Sequence, residues 1–169
     1  QCSQDDFGWS QDNYIGKLAQ SNRKQATWLD FYWQERLLPQ LKLAQEQQLL
    51  VASDIPTYER VEAVCTSFFK EVRPALLHGD LWSGNYLIST EGKPYLIDPA
   101  LYYGHNEVDL AMTKLFGGFG PSFYDAYRAT YAVSKEEEAV YTDLYQLYYL
   151  LVHLNLFGAP YYSDCKRIL

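Results

Sequence analysis

The clearest chemical potential of this chain lies in one short stretch, which places two carboxylates and an amide as phosphoryl transfer requires. Residues 78–85 read HGDLWSGN, and a strand–turn–strand pattern follows and ends at Asp98. Phosphoryl transfer to an alcohol needs a group that orients the hydroxyl and accepts its proton, and metal ions that neutralise the triphosphate. Carboxylate and carbonyl oxygens suit Mg²⁺. The pattern therefore predicts Asp80 as the catalytic base and Asn85 and Asp98 as metal ligands.

The order of these residues matches that of protein kinases, in which a catalytic Asp, an Asn and a metal-binding Asp follow one another. Here His-Gly-Asp stands in place of His-Arg-Asp, and Asp-Pro-Ala at 98–100 stands in place of Asp-Phe-Gly. The alternative is that these residues only form turns, in which Asp, Asn and Gly are common. The joint spacing favours catalysis. His78 is interpreted as structural support for the loop, because the apolar run before it indicates burial.

Hydrophobic periodicity predicts a mostly α-helical fold with one small β-hairpin. Within 27–50 we expect two helical pieces, because Pro39 should break or kink the helix. A second helix is expected over 57–72. Its buried side is predicted to consist of Val61, Val64, Cys65, Phe68 and Phe69.

The second half of the chain predicts the hairpin and the remaining helices. The hairpin strands are 86–88 and 95–97, joined by a turn over 89–93. Further helices are expected at 109–116, 121–131, 134–157 and 162–169. Ser134 and Glu137 have the spacing of a capping box. Residues 1–25 are predicted to form an ordered loop pinned by aromatic side chains.

Composition excludes several classes of partner. The 169 residues are 48% apolar and 21% charged, with a net charge of -7 and no basic cluster, which argues against nucleic acid and acidic membranes. The longest apolar stretch, 144–157, is interrupted by polar residues and predicts a buried helix instead of a membrane span. The three cysteines, Cys2, Cys65 and Cys165, are odd in number and far apart, which indicates a reduced, cytoplasmic protein.

The sequence before residue 78 supplies no glycine-rich loop with a lysine of the kind that holds nucleotide phosphates in a kinase. Residues 1–169 are therefore expected to form the C-terminal catalytic lobe of a protein-kinase-like α+β fold, with the N-terminal nucleotide-binding lobe absent from this chain. Residues 117–120 read GGFG, but they lack a preceding strand and a Lys-Ser/Thr ending, so a helix-ending turn is expected there. The isolated chain is expected to be inactive.

The chain resembles the C-terminal lobe of the fructosamine kinases, also called ketosamine kinases, within the aminoglycoside phosphotransferase-like group of kinase folds. The segments that carry the resemblance are 7–9 (FGW), 12–16 (DNYIG), 78–85 (HGDLWSGN), 98–100 (DPA), 102–104 (YYG), 107–112 (EVDLAM), 115–119 (LFGGF) and 153–158 (HLNLFG). The first and last of these lie near the ends of the chain, so the resemblance covers nearly all of it.

The resemblance implies a kinase that uses ATP and Mg²⁺ to phosphorylate a sugar hydroxyl of a small-molecule or protein-bound fructosamine. Trp82 lies between the predicted base and Asn85, where its ring could stack on a sugar; packing under the loop is the alternative reading. Asn13 and Gly16 are further substrate-binding candidates. Asp109 is implied to support the catalytic loop. Residues 18–22 read LAQSN where relatives often have a TPQPN-like run, which leaves the acceptor preference open.

Three other functions remain open at this point. The first is a kinase for another small alcohol, such as choline or an aminoglycoside. The second is a two-metal phosphoesterase, because Gly-Asp, Gly-Asn and Gly-His pairs occur at residues 79, 84 and 104, although such sites need more histidine ligands than this chain offers. The third is an inactive lobe that serves only as a binding module.

Overall fold

A computed structural model of the chain describes residues 5–69 and 71–169. The α-helices of this part of the chain are α1 (Trp28–Tyr32), α2 (Leu38–Glu46), α3 (Tyr58–Cys65), α4 (Glu107–Leu115), α5 (Pro121–Thr130), α6 (Lys135–Phe157) and α7 (Tyr162–Ile168). The strands are β1 (Asn13–Ile15), β2 (Leu18–Gln20), β3 (Ala75–Leu77), β4 (Tyr86–Ile88), β5 (Pro94–Leu96) and β6 (Tyr102–Gly104). Short 3₁₀ turns occupy Ala52–Asp54, Ser83–Asn85 and Ala159–Tyr161.

The strands pair into three antiparallel two-stranded sheets, β1 with β2, β3 with β6 and β4 with β5. The prediction of a hairpin from β4 and β5 is confirmed, but the prediction of a single sheet is wrong. The β1–β2 pair lies in the segment expected to be a loop, because strands of three residues are too short to show an alternating pattern. The β3–β6 pair joins the segments on either side of the hairpin, with Leu77 opposite Tyr102.

The core is built around α6, which packs against α4 and α2. Most of its second half is buried, and so are all four of its tyrosines, Tyr141, Tyr145, Tyr148 and Tyr149. Trp28 of α1 donates from its indole Nε1 to the Tyr145 hydroxyl at 2.9 Å. Burying an aromatic side chain of this kind stabilises the fold by roughly 2–3 kcal/mol. Among residues 5–69 and 71–169, no helix is long and apolar enough to cross a bilayer.

Both ends of α6 follow the sequence signals. The Ser134 hydroxyl accepts a hydrogen bond from the Glu137 N–H at 3.1 Å, and the Glu137 carboxylate accepts from the Ser134 N–H at 2.8 Å. This capping box satisfies two N–H groups that lack partners inside the helix. At the other end, Gly158 has φ 81°, a left-handed value that glycine adopts without steric cost, and the helix stops there. The predicted boundaries of α6 are confirmed.

Residues 27–50 form the two predicted helical pieces, α1 and α2, but the change of helix type comes before Pro39 and the chain stays helical through it. A π-helical segment, Trp33–Leu37, joins α1 to α2, and the N–H of Leu38 bonds to the carbonyl of Trp33. Proline has no N–H and its ring crowds the carbonyl one turn earlier. A wider π turn before Pro39 gives the ring room while the helix continues.

The second predicted helix is shorter than expected and buries fewer residues. It ends at Cys65 instead of Val72, and Val64, predicted to be buried, is 55% exposed. Val61 and Cys65 are buried, and Phe68 and Phe69 pack on the core from the segment beyond the helix. The Cys65 and Cys165 thiols are free, and burial raises their pKa to about 11 and about 12. Cys2 lies outside the described residues.

Glu107 at the start of α4 is buried and forms two hydrogen bonds with the Arg128 guanidinium of α5, both at 2.7 Å. Arg128 also pairs with Glu138 of α6. Removing one partner of a buried ion pair leaves an uncompensated charge, which is strongly destabilising. This ion-pair network therefore ties α5 to the core.

His105 is a buried histidine of the core with a defined hydrogen bond. Its Nδ1 lies 2.7 Å from the Tyr145 hydroxyl. Because that hydroxyl already accepts from the Trp28 indole, it can donate its own proton to His105. Burial lowers the His105 pKa from 6.5 to about 4. The folded state therefore holds His105 neutral down to acidic pH.

We predict that His105 contributes to acid unfolding. Between pH 6.5 and 4 the unfolded chain binds a proton at His105 that the folded chain does not, so stability falls as the pH is lowered through this window. The variant His105→Gln cannot titrate, so lowering the pH should cost it less stability than it costs the wild type, by up to about 3 kcal/mol. Urea unfolding at pH 4–9 measures both proteins. Their curves should run parallel above pH 7, and equal slopes below pH 6.5 would contradict the prediction.

Candidate active site

The loop that follows β3 holds Asp80 close to the segment that follows β5. The N–H of Ala100 donates to the carbonyl of His78 at 2.8 Å, which joins the two segments beyond the ends of their strands. Gly79 has φ 80°, and a Cβ placed there would lie 2.1 Å from the carbonyl oxygen of Ala100. Only glycine allows this approach. The sequence therefore brings the two motif segments together through a residue without a side chain.

Asp109 of α4 anchors the same loop from the opposite side. Its carboxylate accepts hydrogen bonds from the N–H of His78 at 2.8 Å and from the N–H of Gly79 at 2.9 Å. Desolvation raises the pKa of the Asp109 carboxyl, and these two hydrogen bonds act against that shift. Bonds from N–H groups to a carboxylate are stronger than those to a neutral acceptor. The loop is thereby fixed to a helix of the core.

His78 is buried and uses both ring nitrogens within the site. Its Nε2 lies 3.0 Å from the carbonyl of Ile97, and its Nδ1 lies 3.3 Å from the N–H of Asp80. A carbonyl can only accept and an N–H can only donate, so Nε2 carries the proton and Nδ1 accepts. The ring thus links the Asp80 loop to the residue before Asp98, and neither nitrogen is left to act as a base.

Asp80 and Asn85 contact each other directly. The Asn85 Nδ2 donates to the Asp80 backbone carbonyl at 2.8 Å and to its carboxylate Oδ2 at 3.0 Å. Burial raises the pKa of the Asp80 carboxyl, and Asp98 raises it further, whereas the Asn85 hydrogen bond, His78 and His153 lower it. The amide group of Asn85 therefore fixes the orientation of the Asp80 carboxylate.

Asp98 is exposed and stands at the end of the β4–β5 hairpin. Its φ is 50°, in the left-handed region that only a few per cent of non-glycine residues occupy. Within the described residues its carboxylate forms neither a hydrogen bond nor an ion pair. Its charge still reaches Asp80, whose pKa it raises. An unfavourable backbone conformation therefore occurs at a carboxylate without a partner that lies close enough to act on Asp80.

These side chains fit a divalent cation held partly by substrate phosphates. Both hydrogen bonds of the Asn85 amide use its nitrogen, which leaves the oxygen Oδ1 available as a ligand. Mg²⁺ usually takes one or two carboxylates plus phosphate oxygens and water instead of a complete protein cage. Asn85 and Asp98 offer such a partial set. In the part of the chain that the structure describes, no cluster of three or more His, Cys, Asp or Glu side chains is arranged as a metal site.

Trp82 packs within its own loop and is only partly buried. Its indole ring lies over Gly84, where an added Cβ would be 2.4 Å from ring carbons. It also contacts Phe116 edge to face, with ring centroids 6.4 Å apart. Packing therefore accounts for part of the ring, and the remainder stays accessible beside Asp80.

Asn13 and Gly16 lie on the β1–β2 hairpin, which reaches the segment after Asp98. The Asn13 Nδ2 donates to the carbonyl of Leu101 at 2.9 Å, and its Oδ1 accepts from Gln20 at 2.7 Å. Both polar atoms of the Asn13 amide are therefore engaged in holding the hairpin in place. Gly16 has φ 57° and is exposed in the turn of that hairpin.

The sequence did not predict the polar side chains of the core that form hydrogen bonds to the segments of the site. The Tyr149 hydroxyl of α6 donates to the carbonyl of Gly79 at 2.8 Å. The Tyr148 hydroxyl donates to Gln20 at 2.6 Å, and Gln20 in turn bonds to Asn13. Hydrophobic periodicity predicts that both tyrosines are buried, but it does not predict the hydrogen-bond partners of their hydroxyl groups.

Arg36 supports the β1–β2 hairpin segment from the core. It is fully buried, and its guanidinium carbon lies 3.9 Å from the centroid of the Tyr102 ring and 4.6 Å from that of Phe31. Its nitrogens donate to the carbonyl of Ser21 at 2.6 Å and to the side chain of Asn22 at 2.7 Å. Cation–π contacts and hydrogen bonds replace a carboxylate partner here.

Comparison with known proteins relates the chain to one family of kinases. The family model for fructosamine kinase matches residues 1–169. A protein of Lactiplantibacillus plantarum assigned as a ketoamine kinase is 47% identical over 165 residues, which cover 96% of this chain and 59% of the relative. A chloroplastic protein-ribulosamine 3-kinase of Arabidopsis thaliana is 40% identical over 176 residues and is covered to 50%. The chain thus spans between half and three fifths of the length of these relatives.

Solved structures agree with the sequence comparison. A protein of Thermobifida fusca assigned as a fructosamine-3-kinase superimposes with a TM-score of 0.87 at 36% identity, over 98% of this chain and 58% of that one. A Haemophilus somnus protein with the same assignment gives a TM-score of 0.83 at 26% identity, over 98% of this chain and 56% of that one. The fold is that of the kinases in this family.

We predict that the contact at Gly79 is essential for the fold of the site. Gly79→Ala and Gly92→Ala both introduce a side chain at φ near 80°, but a Cβ at Gly92 meets nothing within 4 Å. Left-handed strain alone should cost each variant about 1–2 kcal/mol. The clash with Ala100 should raise the loss for Gly79→Ala above about 4 kcal/mol. Urea unfolding of the two variants measures the difference, and equal losses would refute the role of this contact.

Proposed function

The chain belongs to the fructosamine kinase family, and on this premise we propose that the protein transfers the γ-phosphoryl group of ATP to a sugar hydroxyl of a fructosamine or related ketosamine. The observation that carries the proposal is the Asp80 carboxylate held by the Asn85 amide, with the Asp98 carboxylate near enough to raise the pKa of Asp80. These three residues have the order and chemistry of a kinase catalytic set.

Asp80 is the proposed catalytic base. Its carboxylate accepts the proton of the acceptor hydroxyl as the hydroxyl oxygen forms a bond to the γ-phosphorus and the bond to the departing ADP breaks. One hydrogen bond from Asn85 to the carboxylate and one to the Asp80 backbone carbonyl keep the carboxylate in one orientation for this step. Positioning of this kind supplies most of the catalysis in phosphoryl transfer, since the protein does little covalent chemistry.

Asn85 Oδ1 and the Asp98 carboxylate are the proposed ligands of Mg²⁺. When bound, the cation neutralises charge on the phosphate oxygens. The contribution of the chain is to present two oxygen ligands from different segments. The Ile97 N–H, which donates to the Asn85 carbonyl at 3.0 Å, links these segments one residue before Asp98. This cross-link supports the assignment because it fixes the spacing of the two ligands.

The proposed acceptor is a ketosamine sugar, free or attached to a protein. The relatives are named for ketoamine, ribulosamine and fructosamine substrates, and two of those names are 3-kinases, from which we propose the 3-hydroxyl as the phosphorylated group. We place the sugar against the accessible part of the Trp82 ring, since an aromatic face can stack on a sugar. Asn13 and Gly16 contribute by shaping the hairpin that borders this region.

The β4–β5 hairpin is where we propose that a nucleotide-binding lobe packs. Its large apolar side chains are all at least one third exposed: Tyr86, Leu87, Ile88, Tyr95, Leu96 and Ile97. An isolated two-stranded hairpin is marginally stable in water, and an apolar surface of this kind marks an interaction site. The separate N-terminal lobe, the use of ATP and the inactivity of the isolated chain stay predictions.

The alternative functions have weaker support. A two-metal phosphoesterase would need histidine ligands, but both ring nitrogens of His78 bond within the site, and His105 is buried beneath α6. A choline or aminoglycoside kinase would use the same three residues, so the acceptor has to be determined by assay. A binding module without activity would not explain the left-handed backbone of Asp98 or the raised pKa of Asp80, since strained residues cluster at active sites.

We predict that Asp80→Asn abolishes fructosamine-dependent ADP release by the intact protein. Loss of a general base should lower kcat by roughly 10²–10⁴-fold with little change in KM. Asp125→Asn, which changes an exposed carboxylate of α5, is the matched control and should retain activity. Choline and an aminoglycoside serve as comparison acceptors in the same coupled assay. Turnover on one of those alcohols but on no fructosamine would keep the mechanism and reject the substrate.

We predict that Asp98→Asn changes the requirement for Mg²⁺. Loss of a charged ligand should raise the half-saturating Mg²⁺ concentration at least about tenfold, because even outer partners of metal ligands alter affinity by that much. Activity should recover partly at high Mg²⁺, which it would not do for Asp80→Asn. A Mg²⁺ titration at fixed ATP measures this, and an unchanged titration curve would rule out Asp98 as a ligand.

A further inference from the structure

His153 of α6 is a half-buried histidine whose ring orientation is fixed on one side only. Its Nδ1 lies 2.8 Å from the carbonyl of Tyr149, one helical turn earlier. A carbonyl accepts only, so Nδ1 carries the proton. In the neutral ring, Nε2 is therefore an acceptor on the edge that points away from the helix backbone. Within the described residues, Nε2 forms no hydrogen bond.

Three aromatic rings confine the His153 ring. The centroids of Phe116, Tyr161 and Phe157 lie 4.6, 5.1 and 5.5 Å from that of His153. These contacts explain a flat side chain at this position, but they would be satisfied equally by phenylalanine. The nitrogen at Nε2 has no function in the packing.

The position of His153 relative to the catalytic base follows from its neighbours. Phe116 contacts His153 on one side and the Trp82 ring on the other, at 6.4 Å. Tyr149, which holds the His153 ring through its carbonyl, also donates its hydroxyl to the carbonyl of Gly79, the residue before Asp80. His153 thus shares the neighbour Phe116 with Trp82 and the neighbour Tyr149 with the loop that carries Asp80.

We infer that His153 contacts the acceptor, with Nε2 accepting a hydrogen bond from a sugar hydroxyl other than the one that is phosphorylated. The inference rests on the proposed function, because it assigns a residue to the acceptor side of the same site. A buried or half-buried acceptor that must pair with a hydroxyl rejects substrates that lack it. His153 therefore makes the site selective for polyhydroxylated acceptors over simple alcohols.

The test is steady-state kinetics of the intact protein with Mg²⁺, ATP and fructosyl-glycine, together with analogues that each lack one hydroxyl other than the 3-hydroxyl. His153→Phe keeps the ring and removes Nε2. It should raise the KM for fructosyl-glycine about tenfold, the usual value of one hydrogen bond, and leave the KM for ATP unchanged. His153→Gln, which restores an acceptor atom, should recover part of the loss.

The deoxy analogues separate a substrate contact from a structural role. For one deoxy analogue, the KM of the wild type should rise by about the same factor as the KM of His153→Phe rises for fructosyl-glycine. The variant His153→Phe should have the same KM for that analogue and for fructosyl-glycine. Tyr161→Phe is the matched control, since it keeps the ring beside His153 and removes a hydroxyl that has no hydrogen bond within the described residues. It should behave as wild type.

Two results would overturn the inference while leaving the proposed function intact. The first is an unchanged KM for fructosyl-glycine in His153→Phe. The second is a variant that remains as sensitive as wild type to every missing hydroxyl. Failure of the wild type itself to phosphorylate fructosyl-glycine would instead reject the proposed function, and this inference with it. The wild-type assay alone therefore distinguishes the two failures.

Discussion

The geometry of the site depends on one buried carboxylate, that of Asp109. Pairing between β3 and β6 ends at Leu77, so the next two N–H groups of the chain leave the sheet without strand partners. Asp109 accepts from both of them, His78 and Gly79. Desolvation of that carboxylate raises its pKa, and this cost is acceptable because two charge-assisted bonds offset it. Asp80 is the next residue, so the backbone that leads into it is held in place by these two hydrogen bonds.

Helix α6 extends this constraint to the rest of the site. Through Tyr149 it holds the carbonyl of Gly79, and through Tyr148 it holds Gln20 and hence the β1–β2 hairpin. The Asp80 loop and the β1–β2 hairpin are thus attached to adjacent residues of one helix. A site supported in this way keeps its geometry without large loops having to order themselves.

Sequence predicted the parts of this arrangement whose chemistry is local. Asp80, Asn85 and Asp98 are separated only by one loop and one hairpin, so their sequence spacing is enough to predict that they lie near one another. The capping box likewise predicts the start of α6. The supporting bonds could not be predicted, because the Tyr149 hydroxyl and Gly79 are 70 residues apart. The three-residue strands are too short to show an alternating hydrophobic pattern. Proline is known to disturb the helical turn before it, but the sequence does not show that a π-helical turn, Trp33–Leu37, relieves the disturbance here. Long-range polar contacts and short elements are therefore what the structure adds.

Asp98 brings these constraints together. Its backbone is bracketed by bonds from Ile97 to Asn85 and from Ala100 to His78, which hold a left-handed conformation at an aspartate. Such a conformation costs of order 1–3 kcal/mol and persists only where the surroundings determine it. It also sets a second carboxylate close enough to raise the pKa of Asp80. Strain and like-charge repulsion at one point both lower stability, and a divalent cation held by Asp98, as proposed above, would remove the repulsion. The fold therefore keeps two destabilising features at the place where we propose that a cation binds.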